Sequence, residues 1–193
     1  LQPEGDRDFT GVMEGLARLG SELSVPVIVK ETGCGLSPSA LSKIQSSGIA
    51  WVDTSGAGGT TWIGVETLRS PESERDLGQL FWDWGIPTAA SVVFAKERNF
   101  KVIASGGIRT GLDVARAMAL GADLVGSALP WLRSVMEGGT AEGIAFGEHM
   151  IHTLRVACVL SGCGSARDLQ NAPKIIGPRL ERWLQPQTRI TQR

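Results

Sequence analysis

The chain has 193 residues, 42% of them hydrophobic and 20% charged, and its 19 Lys and Arg against 20 Asp and Glu leave a formal net charge of −1. That is enough apolar material to bury the core of one globular domain, and the mixing of both signs along the chain offers no basic face for nucleic acid and no polybasic anchor for a membrane. No apolar run approaches the ~20 residues of a membrane span, and the opening "LQPEGDRDFTG" lacks the positive-then-apolar order of a signal peptide, so a cytoplasmic protein is expected.

In chain order, "VPVIVKE" at 25–31 is the first short run rich in β-branched residues without strict alternation, the pattern of a strand covered on both faces. Ser37 with Pro38 behind it opens a helix that closes at Gly48, with Leu41 and Ile44 on one buried stripe. A second strand run, "IAWVDTS" at 49–55, leads into residues 56–86, which are rich in Gly, Trp and charge. These read as one overlong loop, a lid or substrate loop, at the C-terminal end of that strand. "KVIAS" at 101–105 is the third strand. Thr110 with Asp113 caps the helix after it, which closes at Gly121 and turns Val114 and Met118 inward. "ADLVGSA" at 122–128 is the fourth strand. Beyond it the pattern is helical only: Thr140 to about Ser161, with Ile144, Phe146, Met150, Ile151, Leu154 and Cys158 at helical spacing, then a shorter helix over about 165–169.

Strand followed by helix, four times over, marks βα units, and right-handed crossovers make them either a doubly wound sheet or part of a closed barrel. A (β/α)8 barrel uses roughly 30 residues per unit, and strand starts at 25, 49, 101 and 122 keep that pitch twice and overshoot once. No repeat, low-complexity tract or linker divides the chain, so residues 1–193 are expected to belong to a single domain.

The chemistry concentrates where strands end. Gly106 and Gly107 stand between a strand and a helix start, where bare N–H groups can meet an anion. A lone Gly-Gly of this kind is an ordinary tight turn. Here Gly126, Ser127 and Ala128 break the next strand in the same way, and in barrels the loops after neighbouring late strands share one phosphate site. Lys30 ends an apolar run at the mouth of such a barrel; it either reaches water, pairs with Glu31, or stabilises a developing anion. "DTSGAGGTTW" at 53–62 adds close-approach glycines with Ser55, Thr60 and Thr61 as hydroxyl donors, but fits neither the Walker nor the Rossmann spacing. His149 and His152, beside Glu148, lie far from these loops and read as solvent-facing helix residues rather than metal ligands. Trp62, Trp82 and Trp84 fall in the long loop, where one ring could cover a flat cofactor and the other two belong to packing. Cys34, Cys158 and Cys163 have neither an even count nor a metal-ligand spacing and are expected to be reduced, mostly buried apolar residues.

Taken together and in this order, "PEGDRDF", "VPVIVKETGCG", "DTSGAGGTTW", "DWGIPTAAS" and "ASGGIRTGLDVARAMALGADLVGSALP" resemble type 2 isopentenyl-diphosphate isomerase, the flavin-dependent form. The "SGGIR…ALGA" part is shared with other FMN-binding barrels such as the 2-hydroxy-acid oxidases and inosine-monophosphate dehydrogenases; "PEGDRDF" and "GAGGTTW" narrow it. The resemblance implies an α/β fold, the TIM (β/α)8 barrel, of which this chain supplies about the last four βα units and the C-terminal helices. It implies FMN at the strand ends, Mg2+ on the substrate diphosphate, NADPH as reductant, and conversion of isopentenyl diphosphate to dimethylallyl diphosphate. The partner is then a small-molecule isoprenoid diphosphate, and a homo-oligomer is expected.

Carried over by motif, Lys30, Ser55 and Thr60 contact FMN, Gly106, Gly107 and Ile108 hold its phosphate by backbone, Ser127 with Ala128 completes that cradle, and Trp62 stands near the flavin or substrate. The family's enzyme is about twice this long. Its N-terminal half supplies the first strands and a Gln-Glu pair just ahead of "PEGDRDF", so the chain reads as a C-terminal half, truncated, proteolysed or partly resolved. A half-barrel leaves sheet edges open and is expected to associate with something. Two other readings stand beside the isomerase: an FMN-dependent oxidoreductase of the 2-hydroxy-acid oxidase type, which needs a histidine base near the flavin, and a non-catalytic half-barrel module.

Overall fold

A computed structural model describes residues 5–185, so Pro3 and Glu4 of "PEGDRDF" lie outside the described residues. Four parallel strands, β1 (Ile28–Lys30), β2 (Trp51–Asp53), β3 (Lys101–Ala104) and β4 (Leu124–Val125), form one sheet in the order β1-β2-β3-β4. Each crossover is helical, as parallel strands require. The register sets Lys30 beside Asp53, Asp53 beside Ile103 and Ile103 beside Leu124, so the C-terminal strand ends are level and their loops converge. The strands are shorter than the apolar runs that announce them, β1 at both ends of 25–31, β2 at both ends of 49–55 and β4 at both ends of 122–128.

The helices are α1 (Val12–Glu22), α2 (Pro38–Ser46), α3 (Trp62–Arg69), α4 (Arg75–Leu80), α5 (Thr88–Lys96), α6 (Gly111–Ala119), α7 (Leu129–Leu160) and α8 (Pro178–Leu184). Val52, Val102 and Ala104 of the central strands are fully buried against Leu41 and Ile44 of α2, Val92 and Phe94 of α5 and Ala117 of α6. The outer strands are less covered: Ile28 and Leu124 are exposed. Among the described residues no helix is long and apolar enough to cross a membrane.

Caps explain the helix starts that the sequence makes legible. The Ser37 hydroxyl accepts Ala40 N–H with Pro38 in the first turn of α2, and Thr110 and Asp113 form a reciprocal capping box on α6.

Several expectations are corrected. Residues 56–86 are not one loop: they hold α3, a 3-10 turn at Glu72–Glu74, and α4. The glycines that suggest a loop there are helix contact points, since a Cβ at Gly64 would come 3.1 Å from the Trp82 ring and one at Gly78 would overlap Thr67 Oγ1. α1, α5 and α8 are helices the apolar patterning did not single out. The helix expected from Thr140 is present, and at Gly138 and Gly139, where the backbone leaves helical geometry, it joins a helical stretch from Leu129 that the patterning did not single out, the two together making α7. Of the apolar residues at helical spacing in its second stretch, Cys158 is buried and Phe146, Met150 and Leu154 half-buried, whereas Ile144 and Ile151 are more than half exposed. The short helix over 165–169 is instead a 3-10 turn at Asp168–Asn171.

Candidate functional site

A cavity of about 650 Å3 opens at the C-terminal ends of the strands. Lys30, Thr32 and Gly33 line it from β1, Asp53, Ser55 and Thr60 from β2, Ser105 to Arg109 from β3, and Gly126 to Pro130 from β4. Trp62 adds the first residue of α3, and Arg133 and Glu137 reach in from α7. The nine residues carried over by motif, Lys30, Ser55, Thr60, Trp62, Gly106, Gly107, Ile108, Ser127 and Ala128, meet here, whereas Thr61, also expected as a hydroxyl donor, does not line the cavity and instead caps α3 by accepting Gly64 N–H. Trp82 does not line the cavity but packs on Gly64, and Trp84 is exposed with its ring edge-on to Phe81.

The two glycine loops are pressed together backbone to backbone. Gly106 and Gly107 have φ of 98° and 82°, and a Cβ on the first would overlap Gly56 O while one on the second would come 2.5 Å from Gly58 O. Their missing side chains therefore serve the contact between the β2 and β3 loops as well as the cavity wall. Arg109 staples the same contact, donating to Gly107 O and to Gly58 O at 2.9 Å each. The β3 and β4 junctions are joined in turn by the Ser127 hydroxyl, which donates to Ile108 O at 2.7 Å. That bond uses the only hydroxyl proton Ser127 has, leaving its backbone N–H as the donor for any ligand.

Five N–H groups at these junctions, those of Gly106, Gly107, Ile108, Ser127 and Ala128, donate to no acceptor among the described residues. Unpaired backbone donors are costly away from water, so a wall carrying several of them is made for water or an anion. The α6 N-terminus behind Gly107 is closed by its own carboxylate, Asp113 Oδ2 accepting Arg109 N–H at 3.2 Å and Thr110 N–H at 3.0 Å. No side chain caps α7.

Across the cavity, Lys30 Nζ donates to Ser55 Oγ at 3.1 Å and to Glu31 O at 2.7 Å. Glu31 does not pair with that ammonium; its Oε2 accepts the N–H groups of Gly33, Cys34 and Gly35, at 2.6, 2.5 and 3.0 Å. Ser55 is a non-glycine residue at φ 33°, held there while Asp53 Oδ1 accepts its N–H at 3.1 Å and also the Ser105 hydroxyl. Burial, with Glu31 nearby, pushes the Cys34 thiol up, which makes it a poor nucleophile.

Arg109, Arg133, Asp53 and Glu137 are the charged lining residues that sequence reasoning missed. Asp53 ends an apolar run just as Lys30 does, and Arg109 stands inside the glycine motif, so both were discoverable. Arg133 was hidden because the helical stretch that carries it, ahead of the break at Gly138 and Gly139, was not singled out. His149 and His152, the only histidines in the sequence, lie on the exposed side of α7 and line no part of the cavity. Gly5, Asp6, Arg7 and Phe9 of "PEGDRDF" contribute to a separate cavity of about 950 Å3 against α3 and α4.

Comparison with known proteins agrees with this geometry. The chain is 42% identical over 180 residues to an isopentenyl-diphosphate delta-isomerase of Methanosarcina barkeri, covering 91% of this chain and 49% of that protein. It is 45% identical over 185 residues to an isopentenyl-diphosphate delta-isomerase of Methanothermobacter thermautotrophicus, covering 95% and 52%. The chain thus spans about half the length of the curated relatives it matches. A mandelate oxidase variant solved with (S)-mandelic acid shares the fold at TM-score 0.62 and 21% identity, over 86% of this chain and 43% of that one. Four parallel βα units superpose on part of that larger molecule, as a partial barrel should. The family model for FMN-dependent dehydrogenase matches residues 8–175, and the chain belongs to that family.

Proposed function

We propose that residues 1–193 form the C-terminal half of a single FMN-binding barrel domain, and that the whole protein converts isopentenyl diphosphate to dimethylallyl diphosphate in isoprenoid biosynthesis. The observation that carries this reading is the set of five unpaired N–H groups at two joined βα junctions facing one cavity. Its volume of about 650 Å3 lies within the range of roughly 300–1,000 Å3 usual for small-molecule sites. The donors suit a phosphate monoester, and the level strand ends leave room for a flat ring between Lys30 and Trp62.

Bound and reduced, FMN supplies the acid and base that move the double bond without net redox change. The residues of this chain position and shield. Gly106, Gly107 and Ile108 hold the phosphate by backbone, joined by the N–H groups of Ser127 and Ala128. Lys30 spends two of its three N–H donors on Ser55 and Glu31 O, so its third is free for an electron-rich ring edge, beside Ser55 and Thr60. Trp62, half exposed where it lines the cavity, would shield a bound flavin or substrate from water.

NADPH as the reductant, Mg2+ on the substrate diphosphate, a homo-oligomeric assembly and a cytoplasmic location belong to the same reading. The described residues contain no cluster of three His, Cys, Asp or Glu side chains to ligate the ion, and no step is routed through it. An oxidase of 2-hydroxy acids is less well supported, because that chemistry calls for a histidine base and neither histidine reaches the cavity. The test is anaerobic turnover of isopentenyl diphosphate by the protein loaded with FMN, before and after reduction. Dimethylallyl diphosphate formed only with reduced flavin is the expected result; failure to bind FMN, or equal turnover with oxidised flavin, overturns the proposal.

A further inference from the structure

Three cationic side chains line the cavity, and they are not equivalent. The Lys30 ammonium is tied to Ser55 and to Glu31 O, on the far side from the β4 junction. Arg109 spends both terminal nitrogens on Gly107 O and Gly58 O, so its guanidinium braces the loops instead of facing a ligand. Arg133 has no hydrogen bond or ion pair to any described residue. It is the fifth residue of α7, and a helical side chain leans toward the N-terminus of its own helix, covering the turn before its Cα. For Arg133 that turn is the Ala128–Pro130 junction, where the N–H groups of Ser127 and Ala128 are free and α7 has no capping side chain.

We infer that Arg133 is the phosphate-selecting residue of this site: its guanidinium closes the cradle of backbone N–H groups and makes the cavity prefer a flavin carrying a terminal phosphate dianion over one without it. The inference rests on the flavin reading above and adds to it a side-chain charge, which five neutral N–H dipoles do not supply. A guanidinium pairs with two phosphate oxygens at once, which an N–H group cannot do. Glu137 follows four residues later on the same helix face, but it lies about 6 Å further along the axis and forms no ion pair with Arg133. The guanidinium is therefore left to the junction.

The experiment is a pair of fluorescence-quenching titrations, with FMN and with riboflavin, on the wild-type protein, Arg133→Ala and Arg133→Lys. FMN affinity is expected to fall roughly 10-fold or more in Arg133→Ala, riboflavin affinity to stay within about twofold, and Arg133→Lys to fall between wild type and Arg133→Ala for FMN. Rising salt should erode the FMN preference of the wild type and leave Arg133→Ala indifferent. If Arg133→Ala binds FMN as the wild type does, or loses both flavins equally, the assignment of Arg133 is wrong while the flavin site stands. A wild-type protein that binds neither flavin overturns the site itself and Arg133 with it.

Discussion

Lys30 Nζ meets Ser55 Oγ at 3.1 Å, joining the C-terminal ends of two adjacent strands across 25 residues of sequence. The register that sets Lys30 beside Asp53 makes this contact possible, and Ser55 accepts it from a left-handed backbone at φ 33°. A non-glycine backbone is being held in a costly conformation at a strand end, which is where sites are built. Lys30→Ala is expected to lower FMN affinity about 10-fold, in line with the loss of one charge-assisted hydrogen bond, while Lys43→Ala on the exposed side of α2 leaves it unchanged. Titration of both variants by flavin fluorescence decides it: equal effects remove Lys30 from the site.

The stacked glycine loops separate two costs that are usually confounded. Gly48 and Gly107 both have positive φ, 77° and 82°, but a Cβ at Gly48 meets nothing within 4 Å whereas one at Gly107 comes 2.5 Å from Gly58 O. Gly48→Ala should therefore cost only the left-handed penalty, about 1–2 kcal/mol. Gly107→Ala should cost about 1–3 kcal/mol more, from forcing the two loops apart. Urea denaturation of both variants measures the difference, and equal midpoints would show that the loops are not in contact in solution.

These loops also show where sequence reasoning reached and where it stopped. The βα units, the caps at Ser37 and Thr110, and the cavity residues Lys30, Gly106, Gly107, Ser127 and Ala128 were legible because each depends on local chemistry, a terminated apolar run, a capping pair or a glycine break at a strand end, whereas Ile108 was reached only through the family resemblance. The α3–α4 pair was not legible, because the glycines there have a meaning set by partners distant in sequence, Gly64 by Trp82 and Gly78 by Thr67. Ile144 and Ile151 repeat the lesson from the other side. Periodicity reports that they share a helix with buried residues, but only the tertiary arrangement decides what, if anything, lies over them. The two roles of Gly106 and Gly107, wall of a cavity and contact between loops, are likewise indistinguishable in one dimension.

The Asp113 carboxyl should leave a signature in acid. Its partial burial pushes the pKa up, but the Thr110 hydroxyl, the N–H groups of Arg109 and Thr110, and Arg116 together outweigh that and hold it below its ordinary value. Between the folded value and the unfolded value of about 4, the unfolded chain binds the extra proton. The stabilisation from Asp113 is thus complete above about pH 4 and is lost as pH falls through the folded value. Asp113→Asn should be less stable than wild type at pH 7 and lose less stability between pH 5 and pH 2. Parallel denaturation curves at each pH would expose an equal acid sensitivity, the result that contradicts this.

Ser91 tests how firmly the wall bearing Lys30 is anchored. It is fully buried in α5, accepts Leu36 N–H at 2.8 Å and donates back to Leu36 O at 3.2 Å, so one hydroxyl satisfies both backbone groups of a residue 55 positions away. Leu36 ends the loop after β1, whose other N–H groups are gathered by the Glu31 carboxylate. Ser91→Ala removes little volume but leaves a buried donor and a buried acceptor unpaired, at a cost of about 1–3 kcal/mol. Ser37→Ala, at the partly hydrated N-cap of α2, should cost about 1 kcal/mol. The burial of the Ser91 bond, more than its geometry, makes it the costlier to lose. Hydrogen exchange at Leu36 should accelerate in Ser91→Ala, and FMN affinity should weaken with it as the loop that follows Lys30 loosens. Unchanged exchange at Leu36 would mean that the Ser91 bond does not anchor this loop, which the Glu31 carboxylate and the backbone bonds of Gly35 to Ser55 and Ile86 to Cys34 then hold.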